Sequence, residues 1–354
     1  MIGDRPVILY GSGQGYYTLA ASVLRPYKVR PSLVLDRKFI EPSEFWGIPA
    51  RSPEGYTPSS AEREEAVVIL TVGGSKRAAA HNTVRELGYR HVIAANEIYE
   101  YHMIAPAEQL LNEGYSYYRK NREQIESCYG ALADEKSREV FRQVLATHML
   151  RAPQRILSDP LEDQYFPPDV PGRRPHRIIN CGAYDGDTIR SLKAHFGPVE
   201  AVACFEPDPG NFVKLVSYLE EERARIASEI IAVPCGVYDR DTQLRFGAGE
   251  GTNSAVSDSG GSMIQCVALD HALPTFHPTT VTMDVEGVEP QALVGSRCMI
   301  SAYLPDLAIC VYHAPQHLWE LPLWARSISA RYQLYLRNHT GEVAETVLYA
   351  RTRS

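Results

Sequence analysis

Short apolar runs alternate with amphipathic stretches twice along the chain. The first alternation predicts strands at Val7–Tyr10, Ser32–Leu35, Ala66–Val72 and His91–Ala94, with helices over Tyr16–Leu24 and Lys76–Leu87. Between residues 104 and 164 the pattern changes. Leu110, Leu111, Tyr115, Tyr118, Ile125, Tyr129, Leu132, Val140, Phe141, Val144, Leu145 and Met149 recur at helical spacing, which predicts two or three helices joining two domains. Gln164-Tyr-Phe-Pro-Pro168 stops them, and leaves Tyr165 and Phe166 as core residues or as a wall of a following site. The second alternation predicts strands at Arg177–Asn180, Val199–Phe205, Ile230–Pro234, Thr280–Asp284 and Leu307–His313. A β-rich insertion at Gln243–Phe246 and Met263–Leu269 interrupts it, and a hairpin of Tyr332–Arg337 with Glu345–Arg351 closes it. The expected domains are 1–103, a helical linker 104–164, and 165–354.

Composition narrows the class only a little. Of 354 residues, 44% are hydrophobic and 22% charged, enough for a sizeable core, and the formal charge of −7 argues against a nucleic-acid surface. The opening Met-Ile-Gly-Asp-Arg-Pro carries no signal-peptide pattern, and no apolar run is long enough to span a bilayer. Seven cysteines contain no Cys-x-x-Cys pair. A cytoplasmic protein with free buried thiols and no membrane partner is the expectation.

The candidate chemistry lies in two glycine turns, each following a strand and preceding a helix. Such a turn offers backbone N–H groups at the carboxyl edge of a parallel sheet, where open α/β folds bind ligands. Gly11-Ser-Gly-Gln-Gly15 is followed by Asp36, and Asn180-Cys-Gly-Ala-Tyr-Asp-Gly-Asp-Thr188 by Glu206. In both, the acid falls about where a ribose-binding carboxylate belongs. Both halves therefore read as Rossmann-like. Taken alone, either turn fits a dinucleotide or another nucleotide cofactor. In the first, the third glycine of the dinucleotide fingerprint would fall at Tyr16, and no Tyr-x-x-x-Lys pair follows.

Five motifs in order make the second half more specific: Asn180–Thr188, Phe205-Glu-Pro-Asp-Pro209, Met283-Asp-Val-Glu-Gly-Val-Glu289, Val311–Trp324 and Glu345-Thr-Val-Leu-Tyr-Ala350. On these the chain from about Tyr165 to Ala350 resembles FkbM-type methyltransferases. The resemblance implies a class I methyltransferase fold with a terminal β-hairpin. It implies S-adenosylmethionine as cofactor and O-methylation of a sugar or other hydroxylated small molecule. Two positions depart from the family. Asn180 stands where an aspartate is usual, and Thr282 stands where a lysine often lies. The first domain resembles that of PglD-type sugar acyltransferases, through Ile8–Gly15, Asp36 and Gly47-Ile-Pro-Ala50. That likeness implies a bound nucleotide-activated sugar.

With that cofactor in view, the residues take roles. Gly182, Ala183 and Tyr184 form a backbone cradle above Asn180, and Glu206, followed by Pro207, accepts the ribose hydroxyls. Asp185, Asp187 and Thr188 hold the methionine ammonium, with Asp187 as the alternative helix cap. Gly236 and Val237 lie where adenine rests. Ser254, in the Gly- and Ser-rich stretch 247–261, contacts the cofactor from a closing loop. The expected strand order brings Asp284, Glu286, Tyr312 and His313 to the same edge. His313 is the expected general base, Asp284 orients the substrate or the ammonium, and Glu286 is a second base or a helix cap. A divalent metal on Asp284, Glu286 and His313 is a further option. Trp319–Trp324 reads as helix core. The competing functions are an NAD-dependent oxidoreductase or epimerase using Asp36, and a non-catalytic nucleotide-sugar-binding scaffold.

Overall fold

The computed structural model describes residues 5–13, 19, 24, 28–72, 76–95, 115–150, 155–247, 255–256 and 262–352. Two compact units divide the chain, residues 1–106 and 107–354. Among the described residues, no helix is long and apolar enough to cross a membrane.

In the first unit, strands β1 (Val7–Tyr10), β2 (Leu33–Leu35), β3 (Ser43–Phe45), β4 (Ile48–Arg51), β5 (Val67–Leu70) and β6 (His91–Ala94) form one sheet in the order β3-β4-β2-β1-β5-β6. All neighbours are parallel except the β3–β4 hairpin. Val7, Ile8, Leu9, Val67, Val68 and Ile69 are buried, as expected of central parallel strands covered on both faces. Helix Ser60–Glu65 begins with a capping box between Ser59 and Glu62. The predicted helix over 16–24 falls almost wholly outside the described residues. Gly11 has φ +109°, and its N–H bonds Leu35 O at 2.8 Å. Ser12 N–H and Oγ–H both donate to Asp36 Oδ2, at 2.8 and 2.6 Å, which ties the glycine turn to the end of β2.

The second unit is built on β7 (Arg177–Cys181), β8 (Val199–Phe205) and β9 (Ala227–Val233). The insertion follows as β10 (Gly236–Val237), β11 (Thr242–Gly247), β12 (Ala255–Val256) and β13 (Ser262–Val267), and then come β14 (Thr280–Met283), β15 (Asp306–Cys310), β16 (Tyr332–Asn338) and β17 (Thr346–Thr352). The main sheet runs β16-β17-β15-β14-β7-β8-β9, parallel from β15 to β9, with the last hairpin antiparallel to it. The insertion makes a separate four-stranded sheet, in which β11 and β13 pair as expected. Helices Arg122–Ala131 and Glu135–Leu150 belong to this unit. Ala133 N–H bonds Leu334 O at 2.8 Å, and Leu336 N–H bonds Ser137 Oγ at 2.9 Å. The fully buried Arg337 side chain reaches Asp134 and Asp169 beside them.

The chain runs outward from β7 through β8 to β9, then crosses back to β14 and β15. The direction reverses between β7 and β14, which is the position where open α/β sheets leave a crevice at their carboxyl edge.

Candidate active site

The turn after β7 is shaped by its backbone. Gly182 has φ +78°, and a Cβ there would lie 1.8 Å from Asp284 O, so the turn packs directly on the backbone leaving β14. Gly182 and Ala183 N–H both bond Phe205 O, at 3.0 and 2.9 Å. Tyr184 is held left-handed at φ +46°, and its N–H donates to Glu206 Oε2 at 2.8 Å. The cradle expected of Gly182, Ala183, Tyr184 and Glu206 is thus one hydrogen-bonded unit.

Glu206 is 5% exposed, and its Oε1 accepts Asp208 N–H at 2.8 Å. Burial pushes its carboxyl up to about 7, against these two N–H bonds. Gly236 sits beside Pro207. A Cβ there would meet Pro207 Cβ at 3.8 Å and Cys266 Sγ at 2.9 Å, so glycine permits the β10–β13 pairing. Val237 is buried. Asn180 is buried too, and its Oδ1 accepts Thr282 Oγ–H at 2.9 Å, while its Nδ2 has no partner among the described residues.

Two expectations on this side change, and a third falls outside the described residues. Gly186, not Asp187, is the helix N-cap. Asp187 opens helix Asp187–Phe196, and its Oδ1 accepts Thr188 N–H at 2.6 Å, with Thr188 buried behind it. Asp185 is bound by the Arg190 guanidinium through both its carboxylate and its carbonyl, so an ammonium would have to compete with a fixed cation. Ser254 lies outside the described residues, as does most of the loop predicted to close over the substrate.

The second cluster gathers from β14, β15 and β17. Strand β15 ends at Cys310, so His313 lies in the loop beyond it rather than on the strand. Its side chain is 5% exposed, with Nε2 3.4 Å from Asp284 Oδ1 and 3.5 Å from Glu286 Oε2. Its other nitrogen, Nδ1, is 2.8 Å from Glu289 Oε1. The Tyr312 and Tyr165 hydroxyls each approach Asp284 at 3.4 Å. Tyr165 therefore lines the site, whereas Phe166 packs on the rings of His195 and Phe196. Glu345, at φ +57°, accepts from Gln164 Nε2–H and places a carboxylate oxygen within 4.8 Å of donor atoms of Asp284 and Cys310. Trp319 is fully buried against Tyr117 and Tyr118, as expected of helix core.

These contacts revise the proton inventory. Burial disfavours charge on His313, but the Glu289, Glu286 and Asp284 carboxylates outweigh it and hold the ring protonated well above the usual histidine range. A base that already carries its proton cannot accept another, so these surroundings disfavour His313 as a free general base. Burial raises Asp284 and Glu286 above the ordinary carboxylate range, with His313 opposing in each case. Burial also lifts Glu345 to about 7, and Asp284 adds to it. Glu286 caps no helix: the helix start at Glu289–Val294 has no side-chain cap on Val288, and Glu289 Oε1 itself accepts the N–H groups of Val285 and Gly287 at 3.1 and 3.3 Å.

A divalent ion fits less well than this proton. Asp284, Glu289 and His313 bring ligand atoms within 4.8 Å of one another, but the imidazole would first have to lose its proton.

No known family description matches this sequence, and no curated protein matches it. Solved structures do. The crystal structure of methyltransferase FkbM from Methylobacillus flagellatus KT aligns over 98% of this chain and 90% of that one, at 21% identity and a TM-score of 0.70. The fold is that of an FkbM methyltransferase. At this identity the likeness speaks for architecture, over nearly the whole chain. Aeropyrum pernix fibrillarin, with natively bound S-adenosyl-L-methionine, aligns over 49% of this chain and 66% of its own at 10% identity and a TM-score of 0.30, too low to carry weight.

The sequence motifs contained Glu289 and Glu345 but gave them no role. Glu345 was readable in principle. An antiparallel last strand brings its start to the carboxyl end of β15, where Val311 N–H bonds Thr346 O at 2.9 Å. Glu289 offered no such signal, since an acid at a helix start is ordinarily solvated.

Proposed function

We propose that the second unit is an S-adenosylmethionine-dependent methyltransferase that methylates a hydroxyl group of a sugar or another hydroxylated small molecule. One observation carries the reading. The glycine turn rests on the backbone of Asp284, so a nucleotide cradle and a carboxylate–imidazole cluster meet at a single point of the sheet edge. S-adenosylmethionine held there would supply an electrophilic methyl group for the acceptor hydroxyl.

The chain's own contribution is positioning and proton transfer. Glu206 accepts the ribose hydroxyls, and the Asn180 amide offers a buried donor at the base of the cradle. Asp284, leaving β14 against Gly182, takes the proton of the attacking hydroxyl, with Glu286 as the second acceptor beside it. A carboxylate raised by burial is a stronger base than an exposed one. The protonated His313 balances the charge of both, and the Tyr165 and Tyr312 hydroxyls fix the Asp284 carboxylate. The first unit, by its resemblance, holds a nucleotide-activated sugar as the acceptor's handle. The unpaired cysteines support a reducing, cytoplasmic setting.

Thermal shift with S-adenosylhomocysteine, NAD and nucleotide sugars tests the reading, followed by transfer of a labelled methyl group to sugar acceptors. Stabilisation by S-adenosylhomocysteine is expected. A shift with NAD and none with either sulfur cofactor would overturn it.

A further inference from the structure

Glu289 is the one acid of the cluster with no exposure at all, and it touches three separate segments. Its Oε1 accepts the N–H groups of Val285 and Gly287, which bracket Glu286 in the loop after β14. That loop is strained, with Glu286 at φ +56° and Gly287 at φ +98°. The same Oε1 lies 2.8 Å from His313 Nδ1, and Oε2 lies 3.3 Å from His317 Nδ1. Both imidazoles are almost fully buried. A fully buried carboxylate is retained at a cost of several kcal/mol unless it is paired and hydrogen-bonded. Those N–H groups belong to the loop before helix Glu289–Val294, so capping of the helix start does not account for the buried acid.

What the arrangement achieves is orientation. The His313 ring is caught between Glu289 at Nδ1 and the Asp284 and Glu286 carboxylates at Nε2, with the Tyr312 ring tilted against it, centroids 4.1 Å apart. We propose that Glu289 is a positioning residue, whose buried carboxylate fixes His313 with Nε2 turned to Asp284 and Glu286 and anchors the loop that carries Glu286. It acts through His313 and does not touch the acceptor. The logic is that of an acid fixing the far nitrogen of an imidazole so that the near one serves the site. The proposal rests on the reading of Asp284 and Glu286 as the groups facing the acceptor. It predicts that His313 loses its function when Glu289 loses its charge, even though His313 itself is untouched.

The test is nuclear magnetic resonance of the imidazoles in histidine-labelled full-length protein, with the His313 signal assigned by its absence in His313→Gln. In the wild type His313 should stay protonated on both nitrogens through neutral pH, because burial of the ring is outweighed by Glu289, Glu286 and Asp284. In Glu289→Gln it should deprotonate at lower pH. The kcat should fall by a factor on the order of 10², with the affinity for S-adenosylhomocysteine within about threefold, and His313→Gln added to Glu289→Gln should cost little more. If Glu289→Gln does not fold, Glu289→Asp carries the test. It keeps the charge but withdraws the carboxylate from Nδ1, and His313 should again titrate lower. An unchanged His313 titration in the folded variant would overturn the proposal, as would full additivity of the two substitutions. The imidazole signal needs no turnover. Failure of the methyltransferase reading, shown by no binding of S-adenosylhomocysteine to the wild type, is therefore separate from failure of the role given to Glu289.

Discussion

Replacing Gly182 by alanine puts the link between cradle and acid to a quantitative test. The substitution has two costs. Gly182 has φ +78°, a conformation that costs an L-residue about 1–2 kcal/mol. The added Cβ would also lie 1.8 Å from Asp284 O, whereas real Cβ contacts are not found under 3.0 Å, so turn and strand must part by more than about 1 Å. Overpacking of that kind adds about 1–3 kcal/mol. The expected loss is therefore about 2–5 kcal/mol, read as a fall of roughly 5–15 °C in the melting of a unit this size. Two controls separate the costs. Gly197→Ala also sits at positive φ (+68°, with ψ −158°, outside the left-handed helical region) with nothing within 4 Å, and should lose only a conformational part. Gly295→Ala has an ordinary φ but would meet Tyr238 O at 1.9 Å, and should lose only the steric part. The functional difference is sharper. Only Gly182→Ala pushes on Asp284, and a displacement near 1 Å at a reacting group costs on the order of 10² in rate. Melting curves, calorimetric titration with S-adenosylhomocysteine and methyl-transfer rates on the three variants decide it. If Gly182→Ala melts with Gly197→Ala and keeps its rate, the reasoning from the close approach is wrong.

Asp284→Asn should abolish turnover while leaving S-adenosylhomocysteine affinity nearly intact; equal losses in both would make Asp284 a cofactor ligand instead. Glu206 has a folded-state pKa raised to about 7, above its unfolded value. Its contribution to stability is thus fully present below about pH 4.5 and lost as pH rises through 7, so the wild type should lose stability between about pH 5 and 8 while Glu206→Gln, which cannot ionise but leaves one of the two backbone N–H groups unpaired, should show no such loss. The same variant should bind S-adenosylhomocysteine more weakly, since it cannot accept both ribose hydroxyls, and a gain in affinity would remove the ribose role. Thr282→Val keeps the shape but leaves the Asn180 amide oxygen unpaired, which urea unfolding should register as a loss of about 1–3 kcal/mol. Turnover should survive excess chelator in protein shown metal-free by elemental analysis, and rescue by a divalent cation would reinstate a metal.

What was legible in the sequence follows from what burial does to a strand. Strands β14 and β15 are buried end to end, and β7 and β8 everywhere but at Arg177 and Glu200, so each reads as a bounded apolar run, and their order at the sheet edge follows from strand–helix alternation. Helix Ser60–Glu65 was missed because it buries no residue, leaving no apolar stripe. Its capping box, Ser59 to Glu62, was the signal that remained. The β3–β4 hairpin was missed because β3 is largely exposed and β4 buries only alternate residues, which leaves no bounded apolar run; its turn lies at Trp46-Gly47, both at positive φ. His313 was placed on a strand because Val311 extends the apolar run, though regular pairing stops at Cys310. The roles of Glu289 and Glu345 went unassigned for another reason. Each depends on partners brought from elsewhere by the fold: His313 and His317 for Glu289, and Gln164 and Asp284 for Glu345.

The two departures from the resembled family bear on the mechanism together. Asn180 and Thr282 are direct partners in the pairing of β7 with β14, and their side chains share a hydrogen bond. Both are buried, Thr282 completely. At such a site an aspartate facing threonine, or a lysine facing asparagine, would be a buried charge without a counter-charge, which costs several kcal/mol. An acid and a lysine can be exchanged for a neutral pair only by changing both, so the two substitutions are physically one. The exchange leaves the local net charge as it was, because one negative and one positive group disappear together. It removes, however, any lysine that could act on the acceptor from β14. On the methyltransferase reading proposed above, proton transfer and acceptor positioning would then fall to the groups that remain at that edge, Asp284, Glu286 and the His313 imidazole held by Glu289.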